Sequence, residues 1–327
     1  MIVSIQYLRG IAALLVITAH FKIPYISHFC GAIGVDIFFI ISGYIMSISA
    51  PKYFANPGRF IVFRIIRIYP LYVLLSLPFF LQAFLNHDYT SVFKSLLFLG
   101  GDGIKYKDPL LFSGWSLFFE MVFYVLIISI KNIKITGAVL SLFGIIGFYG
   151  FNSWINYIFN PFWIMFALGL ALNTIENLLP KFHYKFSMAI SMLTLSCAML
   201  FHDNVIDSSN FLPRLFVGFK GIILPRVFVY GLASLVFVVY FKRFIDVSKF
   251  RSHLLQISGD LSYSIYLTHS AIYLIAAFVL DKFNLTNANF MLLGLLFVWP
   301  LSRLSYWLIE NKLTRKIKLY HENFQRH

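Results

Sequence analysis

The chain is a series of apolar runs, most close to twenty residues long, separated by short stretches where charged residues gather. An α-helix needs about 20 apolar residues to cross the hydrocarbon of a bilayer. No run shows the in-and-out alternation of a transmembrane barrel strand, so the predicted fold class is all-α, a polytopic membrane protein of about ten transmembrane helices. The predicted spans are about 4–22, 31–50, 68–86, 113–130, 134–151, 154–174, 185–202, 222–241, 260–281 and 288–309. The longest connections, roughly 51–67, 87–112 and 203–221, are where re-entrant or interfacial structure is expected. Within the first of them, "RFIVFRIIRIYP" (59–70) spaces its arginines five and three apart among aromatics and aliphatics, as in a helix lying at the inner interface. No Pro/Gly/Ser-rich linker and no internal repeat divides the chain, so residues 1–327 are read as a single membrane-embedded domain.

Composition agrees with the pattern. Hydrophobic residues make up 59% of the chain and charged residues 12%, with a mean hydropathy of +0.79, a balance that a water-facing surface does not tolerate. The opening "MIVSIQYLRGIAALL" has no basic leader and no small-residue cleavage site, so a removable signal peptide is not expected. Cys30 and Cys197 are too few for a disulfide framework or a cysteine metal site and read as packing residues.

The net charge of +14 comes from basic residues scattered over short loops, which argues for topology and against nucleic acid as a partner. With a cytoplasmic amino terminus, the inner loops and tail carry seventeen Lys and Arg and the outer loops seven. This obeys the positive-inside rule and predicts both termini in the cytoplasm.

Several ionisable residues lie inside the runs, where lipid exposure costs kilocalories and a wet or protein-lined position is the alternative. Arg9 and His20 in "YLRGIAALLVITAH" stand eleven residues apart, three helical turns plus roughly 20°, so they share one face about 16 Å apart along the axis. They either snorkel separately to the two interfaces or line one polar stripe. Asp36, in "GVDIFFIISGYIM", lies close in depth to His20. It either caps its helix or holds an imidazole acting as general base. Ser42 and Gly43 after it suit close helix packing.

Arg64 and Arg67 are one turn apart and able to converge on a single anion, whether lipid or ligand phosphate. In "SGWSLFFEMVFY", Glu120 sits about two turns into a span with Ser116 one turn before it on the same face. A glutamate at that depth pairs with a cation or stays protonated. Trp115 alone would be an interface anchor. Tyr263, Tyr266 and His269 lie in the ninth span, and Arg303 and Glu310 share a face of the tenth; these are structural pairs or cavity lining. Gly-x-Ser-x-Gly, Walker, dinucleotide and HExxH patterns are absent, so no metal is expected.

Taken in order, "LRGIAALLVITAH", "GVDIFFIISGYIM", "RIIRIYPLY", "WSLFFEMVFY", "LSYSIYLTHSAIY" and "LIENKLTRK" resemble the blocks of the acyltransferase-3 family of integral membrane acyltransferases, which O-acetylate bacterial surface polysaccharides. The resemblance covers nearly the whole chain. It implies a ten-helix fold in the bacterial inner membrane, acetyl-CoA from the cytoplasm as acyl donor and co-substrate, and a lipid-linked or nascent glycan as acceptor on the outer side. Arg9 and His20 match the family's arginine, ten residues, histidine motif; Arg64 and Arg67 its RxxR element; Glu120 the acid of its tryptophan-serine-leucine block. Many relatives carry an extra hydrolase-like domain that this chain lacks.

On that basis His20, Asp36 and Glu120 are the expected catalytic residues, and Arg9, Arg64 and Arg67 the expected donor-binding residues. Trp115, Ser116, Tyr263 and His269 are the expected substrate-binding residues. The arginines would hold the donor's phosphates while His20 takes the proton of an attacking sugar hydroxyl, with an acyl-histidine intermediate as the close competitor. The alternative is a transporter or flippase using the same ionisable residues as a proton or substrate pathway, against which no duplicated halves are found.

Overall fold

The computed structural model describes residues 2–21, 33–99, 109–148, 158–200, 230–282, 288–314 and 316–317. They form α1 (Val3–His20), α2 (Ile33–Ser49), α3 (Pro57–Leu85), α4 (Tyr89–Leu96), α5 (Gly114–Ile130), α6 (Ile133–Gly147) and α7 (Phe162–Leu170). These are followed by α8 (Leu172–Leu178), α9 (Tyr184–Leu200), α10 (Leu232–Ser248), α11 (His253–Asp260), α12 (Ser262–Lys282) and α13 (Ala288–Ser305). A 3-10 turn, Ala50–Tyr53, extends α2, and a π-helical stretch, Tyr306–Leu313, follows α13. Among the described residues the protein is all-helical, with several apolar candidate membrane spans. Ile33–Tyr53, Pro57–Leu85 and Ser262–Leu280 are long and apolar enough to cross a bilayer, and Val3–Thr18, Gly114–Ile130 and Ile133–Gly147 are shorter apolar helices. The expected connection 203–221, the first residues of the spans expected at 154–174 and 222–241, and Cys30 lie outside the described residues.

Two expectations are corrected. Residues 59–70 do not form a separate interfacial helix: they are the first part of α3, which runs 29 residues through Pro70 and Pro78. An internal proline removes one ladder bond and bends a membrane helix without ending it when its neighbours satisfy the backbone. At 1.5 Å per residue α3 is about 44 Å long, more than the roughly 30 Å of hydrocarbon, so its first turns have length to spare for Arg59, Arg64 and Arg67. Asn56 starts it, its side chain accepting from the Arg59 amide at 3.2 Å, with Pro57 at the first helical position. Cys197 is exposed on α9 and is not a packing residue. The buried face of that helix is the stripe Ser187, Ser191 and Leu195 at i, i+4, i+8.

The chain forms two compact units. One holds α1, α2 and α6–α11; the other holds α3, α4, most of α5, α12, α13 and the π-helical stretch.

In the first unit α2 lies against α7, α1 against α2 and α11, and α9 against α10. Two of these crossings bring backbones into contact. A Cβ on Gly43 would stand 2.3 Å from the Phe166 carbonyl, and one on Gly169 2.2 Å from the Ile40 carbonyl, so α2 and α7 cross at a pair of glycines. Beside them Phe39 stacks on Phe166 with centroids 4.5 Å apart. At the other crossing, a Cβ on Gly259 of α11 would stand 2.0 Å from the Gln6 carbonyl of α1, and one on Gly10 2.9 Å from the Gly259 amide nitrogen. Without lipid tails being less apolar than side chains, such close van der Waals contact is the main force that holds membrane helices together.

In the second unit α3 packs on α4, α12 and the π-helical stretch, and α12 on α13. Tyr69 and Tyr72 of α3 donate to the Leu96 and Ser95 carbonyls at 3.0 and 2.9 Å, closing the end of α4.

Candidate functional site

The residues expected to carry chemistry fall into two groups, one in each unit.

In the first unit Arg9 is partly exposed on α1 and its Nη1 donates to Gln6 Oε1 at 3.1 Å. Gln6, buried, passes the interaction on: its Nε2 donates to Asp260 Oδ1 at 2.5 Å. A side-chain amide is the group suited to this position, because it accepts from a guanidinium with one end and donates to a carboxylate with the other. Arg9 therefore has a counter-charge on α11, one amide away. Neither Gln6 nor Asp260 stands out in the sequence, since 254 residues separate them.

His20 ends the same helix, with Nδ1 2.9 Å from the Val16 carbonyl one turn back. A carbonyl only accepts, so in neutral His20 the proton belongs on Nδ1 and the lone pair on Nε2. That is the tautomer a general base working through Nε2 needs. Asp36 is buried in the first turn of α2, the helix packed beside α1.

In the second unit Arg64, Arg67, Glu120 and Tyr124 come together. The Arg64 guanidinium lies over the rings of Phe60 and Tyr124, 4.8 and 4.9 Å from their centroids. Phe60 in turn meets Tyr124 edge-on at 5.8 Å. Each cation–ring contact contributes about 0.5–2 kcal/mol, depending on desolvation. Tyr124 holds both signs of charge: its ring carries Arg64 while its hydroxyl donates to Glu120 Oε1, one turn earlier on α5. Arg67 lies within electrostatic reach of Glu120, Glu310 and Tyr263. Arg64 Nε is buried and makes no hydrogen bond among the described residues.

Glu310, carried on the π-helical stretch, accepts from the Ser264 hydroxyl, and Thr314 Oγ1 donates to the Ile66 carbonyl at 3.5 Å. Single-turn π segments recur at functional sites because they re-aim one side chain. Arg303, expected on the same face as Glu310, is exposed. Tyr263 donates to the Ile68 carbonyl at 2.7 Å, in the turn that carries Arg67.

A second polar layer joins α5 and α12. Ser116 Oγ and Tyr266 Oη are 2.7 Å apart, and both reach the Ser113 carbonyl, at 3.1 and 3.3 Å. Ser113 and Ser270 share a hydrogen bond of 2.7 Å. His269 is fully buried, its Nδ1 3.2 Å from the Ile265 carbonyl and its ring between Phe112 and Tyr266. Trp115 is buried edge-on against Phe119 and does not stand alone as an anchor.

The residues missed by sequence reasoning are Tyr124, Phe60, Gln6 and Asp260. Tyr124 carried one signal, its i+4 spacing from Glu120, but the surrounding block is aromatic throughout and masks it.

Compared with known proteins, residues 2–307 match the acyltransferase domain of the acyltransferase-3 family, a match that runs across both units. Among curated proteins, the chain is similar to the exopolysaccharide production protein ExoZ of Rhizobium meliloti (strain 1021), 38% identical over 102 residues. That alignment takes in 29% of this chain and 32% of ExoZ, so the chain covers about a third of that relative's length. No solved structure matches it. The chain belongs to the acyltransferase-3 family.

Proposed function

We propose that this protein is a membrane O-acyltransferase that moves an acetyl group from cytoplasmic acetyl-CoA to a hydroxyl of a bacterial surface polysaccharide sugar on the outer side. The observation that carries the reading is the family match over residues 2–307. The partial likeness to a protein named for exopolysaccharide production supports a glycan acceptor. The protein spans the inner membrane with ten helices and keeps both termini in the cytoplasm, a topology supported by the excess of basic residues in the inner loops.

The geometry supports a division of labour. Arg64 and Arg67 take the phosphates of the donor. Arg64 is held by two rings, which fix its plane without using its N–H groups, and a phosphate oxygen at Nε would relieve the cost of a buried donor without an acceptor, about 1–3 kcal/mol. Glu120 and Glu310 lie within electrostatic reach of Arg67 and offset its charge. His20 Nε2 takes the proton of the sugar hydroxyl as its oxygen attacks the thioester carbonyl. The C–S bond breaks, and the leaving thiolate receives that proton from the imidazolium. Arg9, held through Gln6 to Asp260, supplies a fixed positive charge on the helix that carries His20. Asp36 supplies the negative charge that steadies the imidazolium. Trp115, Ser116, Tyr263 and His269 take part in binding the substrates.

The direct test is acetyl transfer. Membranes containing the protein should consume acetyl-CoA and add acetyl groups to surface glycan, read by mass spectrometry of glycans from cells with and without the gene. Identical glycans in the two strains would reject the reading.

A finer test concerns Tyr124 as a positioning residue. Arg64→Ala combined with Arg67→Ala should raise KM for acetyl-CoA at least about tenfold with little change in acceptor KM. Tyr124→Phe keeps the ring under Arg64 and loses only the bond to Glu120, so its KM should lie between those of wild type and Tyr124→Leu. A Tyr124→Leu enzyme with unchanged KM, beside a damaged arginine double variant, would remove Tyr124 from this role.

A further inference from the structure

Two short stretches mix cations with aromatics: Lys181-Phe182-His183-Tyr184-Lys185-Phe186 and Lys249-Phe250-Arg251. They are more than sixty residues apart in sequence and meet along the end of α10 in the first unit. Phe182 stacks on Tyr240 with centroids 5.9 Å apart and touches Phe186 edge-on at 5.1 Å. Tyr184 stacks on Phe244 at 6.4 Å, and Phe244 meets Phe250 at 5.9 Å. The rings thus form a ladder, and Lys181, Lys185, Lys249 and Arg251, all exposed, alternate with its aromatic residues along the sequence.

The backbone is tied down on both sides of the ladder. The Pro180 carbonyl accepts from Arg243 Nη1 at 2.6 Å and from Tyr240 Oη at 3.3 Å. Lys249 takes a left-handed conformation, φ 53°, that ends α10 and turns Phe250 back onto Phe244 and Tyr7.

Charge and exposure decide what this patch fits. Its two carboxylates are already taken: Glu176 by Lys242 at 3.1 Å and Arg243 at 3.8 Å, and Asp246 by Lys242 at 3.1 Å. Lys181, Lys185, Lys249 and Arg251 have no carboxylate partner among the described residues. Meanwhile Phe182, Phe186 and Phe250 are 42%, 55% and 42% exposed, so rings as well as cations lie open. A soluble anion satisfies the cations and leaves the rings in water; a neutral lipid does the reverse. An anionic phospholipid satisfies both, with phosphate on the cations and glycerol and upper acyl chain on the rings. By the distribution of basic residues this end belongs to the cytoplasmic side.

We infer that this aromatic ladder and its four cations form a binding site for an anionic phospholipid of the cytoplasmic leaflet. The site is independent of the acyl-transfer reading.

The test uses the full-length protein in nanodiscs formed with equal phosphatidylglycerol and phosphatidylcholine, with the lipids it retains on transfer to detergent counted by native mass spectrometry. Wild type should retain phosphatidylglycerol preferentially. The variant Lys181→Gln/Lys185→Gln/Lys249→Gln/Arg251→Gln should lower that ratio at least about fivefold, the worth of one basic residue at an anionic surface. The exposed cations at the start of α6 serve as control, and Lys131→Gln/Lys134→Gln should leave the ratio unchanged. Lys181→Arg/Lys185→Arg/Lys249→Arg should keep it. An unchanged ratio in the glutamine variant, an equal fall in the control, or displacement of the lipid by millimolar glycerol phosphate overturns the site. If the glutamine variant does not fold, wild type decides: preference lost at high salt supports the site, and preference kept at high salt overturns it.

Discussion

His20→Ala is expected to lower acetyl transfer by about 10²- to 10⁴-fold, the usual contribution of a general base, without lowering the amount of protein in the membrane. The loss should appear in kcat, with KM for acetyl-CoA little changed, because the side chain acts on the acceptor's proton and not on the donor's phosphates. His20 ends α1, so truncation removes a side chain from a helix end, three or more residues beyond the buried Ala12, Ala13 and Val16 that pack the helix. His20→Gln is the sharper control: glutamine can place a polar group there but accepts no proton at neutral pH. An alanine variant that acetylates glycan at the wild-type rate would remove His20 from the chemistry, whereas equal loss in the alanine and glutamine variants supports it.

Gly259→Ala should have the largest effect on the fold. Its Cβ would stand 2.0 Å from the Gln6 carbonyl and 2.6 Å from the Gln6 carbonyl carbon, so backbone and not a flexible side chain is in the way. α1 and α11 must then separate. Separation breaks the Gln6–Asp260 bond and the 2.7 Å bond from the Ser252 amide to Tyr7 Oη. Loss of this combination of close packing and buried hydrogen bonds ranks among the severe single substitutions, about 4 kcal/mol or more. The expected result is protein that no longer elutes as a single folded species from mild detergent. Gly58→Ala is the matched control. It also lies in a helix, but a Cβ there meets nothing within 4 Å, so the helix should tolerate or gain from it. A Gly259→Ala protein melting within a degree or two of wild type would mean that the two helices do not depend on this contact.

How far the sequence could be followed differs from element to element. The first span was expected at about 4–22 and is Val3–His20; the fourth was expected at 113–130 and is Gly114–Ile130. Both end where an apolar run meets polar residues, and the cost of exposing backbone to lipid leaves a helix as the only open-ended solution. The expectation failed at residues 59–70. Arginines spaced among aromatics read as a helix lying at the interface, but the helix continues into the span expected at 68–86 and carries Arg64 and Arg67 on the same rod.

Arg9, His20, Arg64, Arg67 and Glu120 were legible because an ionisable side chain within an apolar run is costly enough to stand out from its neighbours. Their partners were not. Tyr124 is one of nineteen tyrosines, and Asp260 and Gln6 sit at the edges of polar stretches where nothing marks them.

What the sequence determined by itself is therefore what depends on transfer between water and lipid: the helical class, several apolar stretches long enough to be candidate spans, and the residues that do not belong in hydrocarbon. Which of those residues meet was decided by tertiary structure alone. The Gly10–Gly259 and Gly43–Gly169 crossings set how closely helices approach, and only that approach puts Gln6 against Asp260. Likewise the ring of Tyr124 under Arg64 and its hydroxyl on Glu120 depend on how α5 is turned against α3. Hydropathy is a property of each residue and can be read along the chain, whereas pairing is a property of distance, and distance exists only once the helices have packed.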